Sequence, residues 1–331
     1  MCVSARIPNA MFLALAGGVG GAKLAEGLAA VLAPDSLAIA VNTGDDFEHL
    51  GVHVSPDVDT VMYTLAGLAN RTTGWGRAAE TWNFMTALEA VGGPTWFRLG
   101  DKDLATSVFR AEQLRNGATL SEITSALCER LGVRHPVMPM SDDRVRTFVH
   151  TDQGRLAFQD YFVRLQCGPK LLQVELAGVA AARPSPAFAS TLASAALEAV
   201  ILCPSNPYLS IGPLLAIPAV ATWWASRRVP VIAVSPIVGG RAIKGPAAKI
   251  MAELGAEVSA LGVAKHYADR VDAWVIDRAD AAAQGDIEAL GKSVLVTETV
   301  MRSPGDATRL ANEAIAFAKE LTVPARRPSP A

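Results

Sequence analysis

Several short segments hold residue types at spacings that suit chemistry on phosphorus. The first, Leu15-Ala16-Gly17-Gly18-Val19-Gly20-Gly21-Ala22-Lys23, sets four glycines between an apolar run and an alanine-rich stretch. Glycines let the backbone approach a ligand closely, and a helix start offers unpaired N–H groups with a partial positive charge. Gly17, Gly18, Gly20 and Gly21 are therefore candidate phosphate-binding positions. The spacing matches neither GxxxxGK[ST] nor a complete GxGxxG. A tight strand-to-helix turn accounts for one or two of these glycines, but poorly for four in five positions.

The second segment is Asn42-Thr43-Gly44-Asp45-Asp46, followed by Ser55-Pro56-Asp57-Val58-Asp59-Thr60. Four carboxylates this close suit a hard cation, and Mg²⁺ takes one or two carboxylates together with waters and phosphate oxygens. The competing reading is that Asp57 or Asp59 caps a helix running from Val58 onward. Two further loops, Ser205-Asn206-Pro207-Tyr208-Leu209-Ser210-Ile211-Gly212-Pro213 and the run from Ser235 to Pro246 containing Gly239, Arg241 and Lys244, carry hydroxyls, an amide and cations suited to a diphosphate. Either loop alone reads equally well as an ordinary turn. Arg98-Leu99-Gly100-Asp101-Lys102-Asp103 ends a short apolar run, Thr95 to Leu99, where a charged residue can hold an anion or a substrate hydroxyl; a solvated turn is the alternative. Met138 to Thr147 is similarly rich in polar groups.

Other templates fit badly. Among His49, His53, His135, His150 and His266 there is no HxH or HExxH, and Gly51 between His49 and His53 argues against a helix, so a zinc hydrolase is disfavoured. No GxSxG elbow exists for a serine hydrolase. Trp82, Trp96, Trp223 and Trp224 read as core or pocket wall, with stacking on a flat heterocycle as the functional alternative.

The elements that must position these residues alternate. Short β-branched runs, Phe12 to Ala16, Leu37 to Val41, Ala199 to Leu202, Val231 to Val234, Ala273 to Ile276 and Ser293 to Val296, are separated by helical stretches such as Lys23 to Leu32, Pro246 to Leu254 and Pro304 to Leu321. Continuous apolar strands of this kind belong to parallel sheets covered on both faces. Ligands of open sheets sit outside the carboxyl ends of the strands, so the glycine loop and the acids should meet there. Between them, helical patterns around Ala78 to Ala90 and Leu120 to Leu131 precede a hairpin, Val145 to His150 and Leu156 to Leu165. The expected fold is α/β and Rossmann-like, with a mainly parallel sheet. Residues 1–67 and 181–323 form its core, 68–180 an inserted helical and β-hairpin subdomain, and 324–331 a disordered tail.

Composition narrows the classes. The chain has 331 residues, half of them apolar and 19% charged, which excludes disorder and a coiled coil. Thirty Lys plus Arg against 32 Asp plus Glu, with no run of like charges, gives electrostatic binding of nucleic acid little support. Cys2, Cys128, Cys167 and Cys203 are scattered without ligand spacing and read as reduced thiols of a cytoplasmic protein. Met11 to Ala22 has the length of a signal core but is broken by glycines; Leu209 to Ala225 is uncharged yet too short for a span and broken by Gly212, Pro213 and Pro218.

Taken in order, seven segments resemble the CofD/FbiA transferases that build the deazaflavin coenzyme F-420: Gly17 to Lys23, Asn42 to Asp46, Ser55 to Thr60, Leu99 to Asp103, Pro139 to Arg146, Ser205 to Pro213 and Ser235 to Pro246. One could arise by chance; seven in order would not. The resemblance implies a Mg²⁺-dependent transfer of a phosphoryl-linked three-carbon acid from a guanosine diphosphate-type donor to the ribityl 5′-hydroxyl of the deazaflavin Fo, with GMP leaving. It implies that Gly17, Gly18, Gly20, Gly21, Asn42, Ser205, Asn206, Ser210, Gly239 and Lys244 surround the nucleotide and its phosphates. It likewise implies that Asp45, Asp57 and Asp59 form the metal site, with Asp45 and Asp59 catalytic, and that Asp59, Arg98 and Asp103 bind Fo. A cytoplasmic homodimer binding neither nucleic acid nor membrane is implied too. The sequence departs at Val19, where many relatives carry Thr, and at Gly20 to Lys23, where archaeal members have a Thr-Pro-Lys run; phosphate contacts must then be mostly backbone ones. Lactyl, enolpyruvyl and glyceryl donors occur in the family, and the residues do not choose among them. The runner-up is the YvcK-like group of nucleotide-sugar-binding regulators, which shares the glycine loop and the Asn-Thr-Gly-Asp type segment. An NAD-dependent oxidoreductase lacks the acidic residue expected at the end of the second strand, which closes instead in Asn42-Thr43-Gly44.

Overall fold

The computed structural model describes residues 10–321. The main sheet has seven strands: β1 (Met11–Ala16), β2 (Leu37–Val41), β3 (Val137–Pro139), β4 (Leu197–Leu202), β5 (Val231–Val234), β6 (Ala273–Asp277) and β7 (Ser293–Thr297). Their spatial order is β7-β6-β5-β4-β1-β2-β3, and every pairing is parallel. Alternation along each strand feeds two cores. Phe12, Ala14 and Ala16 pack with Leu24 and Leu28 of α1 (Gly18–Val31), Val61 of α2 (Pro56–Leu65) and Leu310 of the C-terminal helix Pro304–Glu320. Leu13 and Leu15 face the opposite layer with Leu214, Trp224, Met251 and Val263. The sheet is thus buried on both faces, which is why its strands read as unbroken apolar runs.

The chain runs outward from β1 to β2 and β3, then returns to β4 on the other side of β1. That reversal opens a crevice beyond the carboxyl ends of β1 and β4, where open sheets bind ligands.

The α/β class and the six core strands stand as expected, and several local expectations are corrected. The helix placed at Lys23 to Leu32 begins five residues earlier, at Gly18, so the glycines form its first turn. Position 20 takes only glycine because Pro204 comes close: a Cβ there would lie 2.2 Å from the Pro204 carbonyl oxygen. α2 begins at Pro56 rather than Val58. Thr95 to Leu99 is irregular backbone, not a strand. The helix expected from Ala78 starts only at Asn83, where the Asp101 carboxylate accepts the N–H groups of Asn83 and Phe84. The hairpin is Arg146–Thr151 with Gly154–Ala157, joined by a third strand, Leu171–Ala177, and the chain after Ala157 turns through Asp160–Arg164 instead of staying extended. β3 lies within the span 68–180 yet pairs with β2, so the sheet edge is drawn from that span. Leu209 to Ala225 folds into helices bent by 86° at Ile217 to Pro218, and among the described residues no single helix is long and apolar enough to cross a membrane. The tail 324–331 and Cys2 lie outside the described residues.

Candidate functional site

A cleft of about 570 Å³ fills the crevice. Its floor is the start of α1. Gly17 leaves β1 extended, and its N–H and C=O both meet the Ser205 hydroxyl, at 3.2 and 2.8 Å, so the loop after β4 is fastened to the end of β1. Gly18 N–H donates to Asp57 Oδ1 at 2.7 Å, and Asn42 Nδ2 donates to Asp57 Oδ2 at 3.0 Å. Asp57 therefore stands at the positive end of α1, in the place an anion would choose. A side chain at Gly17 would fill this corner, since a Cβ there lies 2.6 Å from Asp57 Oδ2 and from Ser210 Cβ.

Asp45 and Asp57 both line the cleft. Burial, and after it the charge of Asp57, hold the Asp45 carboxyl well above the ordinary carboxylate range. Burial pushes Asp57 up to about 6, against the opposing hydrogen bond from Asn42. Asp45 Oδ1 is buried with no hydrogen-bond partner, as is Nδ2 of Asn206, another residue lining the cleft. Buried polar atoms in native folds are nearly always paired, and these two exceptions belong to side chains that line the cleft. Two acids with a free oxygen beside a phosphate-ready helix start fit Mg²⁺, which completes its shell with water and phosphate oxygens. Among the described residues no three His, Cys, Asp or Glu side chains converge as a ready-made metal cage.

Cations close the other side. Lys23 Nζ donates to Met301 O and Lys244 Nζ to Thr73 O, each at 2.7 Å. Burial, and secondarily the charges of Lys244 and Arg71, lower the Lys23 ammonium, which an incoming anion would relieve.

The cleft gathers Gly17, Gly18, Gly20, Asp45, Asp57, Arg98, Ser205, Asn206, Ser210 and Lys244 in its walls. Others are not brought there. Gly21 packs under Ser205 Oγ, and Asn42 acts from behind through Asp57. Gly239 N–H donates to the Asp280 carboxylate at 3.1 Å. Asp59 faces away: both its oxygens pair with the guanidinium of Arg110, one at 3.1 Å, in a fully buried ion pair. Residues two apart on a helix point about 200° apart, so α2 can offer the cleft only one of Asp57 and Asp59. Asp103 accepts the Tyr63 hydroxyl at 2.8 Å on the same inner side. Arg98 extends over the Trp82 ring, 4.5 Å from its centroid.

Sequence reasoning missed the aromatic walls, Phe97, Phe158, Phe162 and Trp75, and the buried Gln159. Trp75 is 51% exposed on a loop between Gly74 and Gly76, and an aromatic flanked by glycines was a usable signal of an exposed ring. Trp223 and Trp224 are outside the cleft, their indole N–H groups donating to Leu192 O and Arg270 O.

The sequence model of the family described as 2-phospho-L-lactate transferase CofD matches residues 12–306. A phosphoenolpyruvate transferase of Kitasatospora aureofaciens is 40% identical over 316 residues, covering 93% of this chain and 98% of that protein. A 2-phospho-L-lactate transferase of Methanosarcina mazei is 35% identical over 295 residues, covering 89% and 96%. A crystal structure of a UPF0052 family member from Bacillus halodurans superposes with a TM-score of 0.61 at 14% identity, covering 93% of this chain and 99% of that one, a likeness of fold.

Proposed function

Because the chain belongs to the CofD family of 2-phospho-L-lactate transferases, we propose that it moves a phosphoryl-linked three-carbon acid from a guanosine diphosphate-linked donor to the ribityl 5′-hydroxyl of Fo, releasing GMP in the biosynthesis of coenzyme F-420. The observation that carries this reading is the pair of buried acids, Asp45 and Asp57, beside the first turn of α1 in one cleft.

Displacement at phosphorus asks a protein for positioning and charge neutralisation more than for covalent help. The N–H groups at the start of α1, with Ser205, Asn206 and Ser210, would hold the diphosphate, and Lys23 and Lys244 would balance its charge. Asp45 and Asp57 would hold Mg²⁺, which when bound draws charge from the attacked phosphate. Asp45, whose carboxyl burial holds well above the ordinary range, would bind Mg²⁺ in its ionised form and give up its proton as the cation enters. Arg98 and the rings of Phe97, Phe158 and Phe162 supply the flat, apolar side of the cleft for the deazaflavin. Asp59 acts from beneath, fixing α2 through Arg110.

Relatives named phosphoenolpyruvate transferase share 40% of residues and those named 2-phospho-L-lactate transferase 35 to 38%, so the enolpyruvyl donor is the first to try. A cytoplasmic homodimer completes the proposal. Equilibrium dialysis with Fo, GDP and NAD tests the site: Fo and GDP retained with no retention of NAD supports it, and retention of NAD with neither of the others contradicts it.

A further inference from the structure

The turn carrying Asp45 is gripped from outside its own part of the fold. Thr147 N–H, on the strand Arg146–Thr151, donates to Gly44 O at 2.7 Å. Gln159 Nε2 donates to the backbone oxygen of Asp45 itself at 3.1 Å, across 114 residues of sequence. Gln159 is only 6% exposed and shares the cleft wall with Asp45. Its backbone is fixed in turn, because the preceding Phe158 belongs to a small core with Tyr161, Leu171, Leu209 and Ile250 that seals the inserted sheet onto the nucleotide-binding half. Meanwhile Asp45 Oδ1 has no partner of its own. Gln159 and the Thr147 N–H together hold the backbone from which this carboxylate projects.

We propose that Gln159 is a positioning residue, through which the inserted three-stranded sheet aims the Asp45 carboxylate at the metal and the reacting phosphate. This rests on the role given to Asp45 above. Groups that orient a metal ligand from behind commonly change metal affinity or turnover by about 10- to 100-fold when lost. A buried amide swapped for a side chain of the same length and no polarity leaves the packing in place while removing the hold.

The test compares wild type with Gln159→Met, and with Gln159→Glu, whose carboxylate accepts but does not donate when ionised. Three readouts are taken: kcat and KM for donor and acceptor, Mn²⁺ binding by electron paramagnetic resonance with GDP present, and amide hydrogen exchange of the segment 42–47. In Gln159→Met, kcat falls by about 10- to 100-fold, KM for the donor changes less than threefold, Mn²⁺ binds several-fold more weakly, and exchange across 42–47 speeds up at least tenfold. Wild-type Mn²⁺ binding and kcat in that variant overturn the proposal. If wild type itself neither turns over nor binds Mn²⁺, the functional reading fails separately. The exchange of segment 42–47 then decides whether Gln159 holds the turn, and unchanged exchange overturns it. Should Gln159→Met fail to fold, Gln159→Glu is scored on the same readouts.

Discussion

One hydroxyl joins the two halves of the parallel sheet: Ser205 Oγ accepts from Gly17 N–H at 3.2 Å and donates to Gly17 O at 2.8 Å, across 188 residues. Both groups of Gly17 are buried, so Ser205→Ala leaves a donor and an acceptor unpaired at about 1–3 kcal/mol each. Urea unfolding should show a loss in that range together with weaker GDP binding. A stability within about 0.5 kcal/mol of wild type would mean that this fastening does not hold the loop.

Glycines in this chain differ in what surrounds them. Gly20→Ala drives a Cβ to 2.2 Å from Pro204 O, whereas at Gly285 a Cβ meets nothing within 4 Å. Gly20→Ala is expected to lose at least tenfold in GDP affinity or to be recovered insoluble. Gly285→Ala, in a helix, should be stabilised by about 0.4–1 kcal/mol. Calorimetric titration and thermal melts read both, and equal behaviour of the two variants would remove the close-packing account of the glycine turn.

Asp45 is costly to the fold, and the proposed reaction needs it. Burial holds its carboxyl well above the ordinary range, so ionising it costs the folded state stability that the unfolded chain does not lose. Asp45→Asn without added metal should melt a few degrees above wild type at pH 8 while turnover falls at least 100-fold. A variant that melts lower and keeps its turnover would assign Asp45 to structure alone.

The Asp59–Arg110 pair makes the opposite prediction. Removing one partner of a buried ion pair strands the other, at about 3–5 kcal/mol, so Arg110→Met should be strongly destabilised. Asp59→Asn added to it should restore part of the loss, because no carboxylate is then left alone. Additive losses in the double-mutant cycle would contradict direct pairing.

Asp103 gives a pH signature. Burial, followed by the charge of Asp59, raises its carboxyl to about 7 in the folded chain, whereas an unfolded chain releases this proton near pH 4. The folded state thus binds the proton more tightly. The stability this contributes is full below about pH 4 and is lost as pH rises through about 7. Asp103→Asn should flatten the melting temperature between pH 5 and 7.5; an unchanged slope would show that another group titrates there.

Much of this was legible in the residues, for physical reasons that also set the boundary. β1, β2 and β4 to β6 announce themselves because strands buried on both faces have no polar alternation, and the glycine run because Gly17, Gly20 and Gly21 each pack where a Cβ would collide with Asp57, Pro204 or Ser205. Asp57 and Asp59 looked equivalent when the helix was started at Val58; starting it at Pro56 sends them to opposite sides. The partners that decide their roles, Arg110 for Asp59 and Gln159 for Asp45, lie 51 and 114 residues away, where no periodicity reaches. β3, three residues long, carries too little pattern to be told from a loop.

The central claim is best met by mass spectrometry of a single reaction: purified protein, Fo and Mg²⁺, with GDP-linked enolpyruvyl, lactyl and glyceryl donors supplied separately. The account predicts GMP and the matching F-420-type product from at least one donor, abolished by chelation and in Asp45→Asn. No product from any donor, with Fo failing to bind, would contradict it and return the chain to the nucleotide-binding regulatory reading.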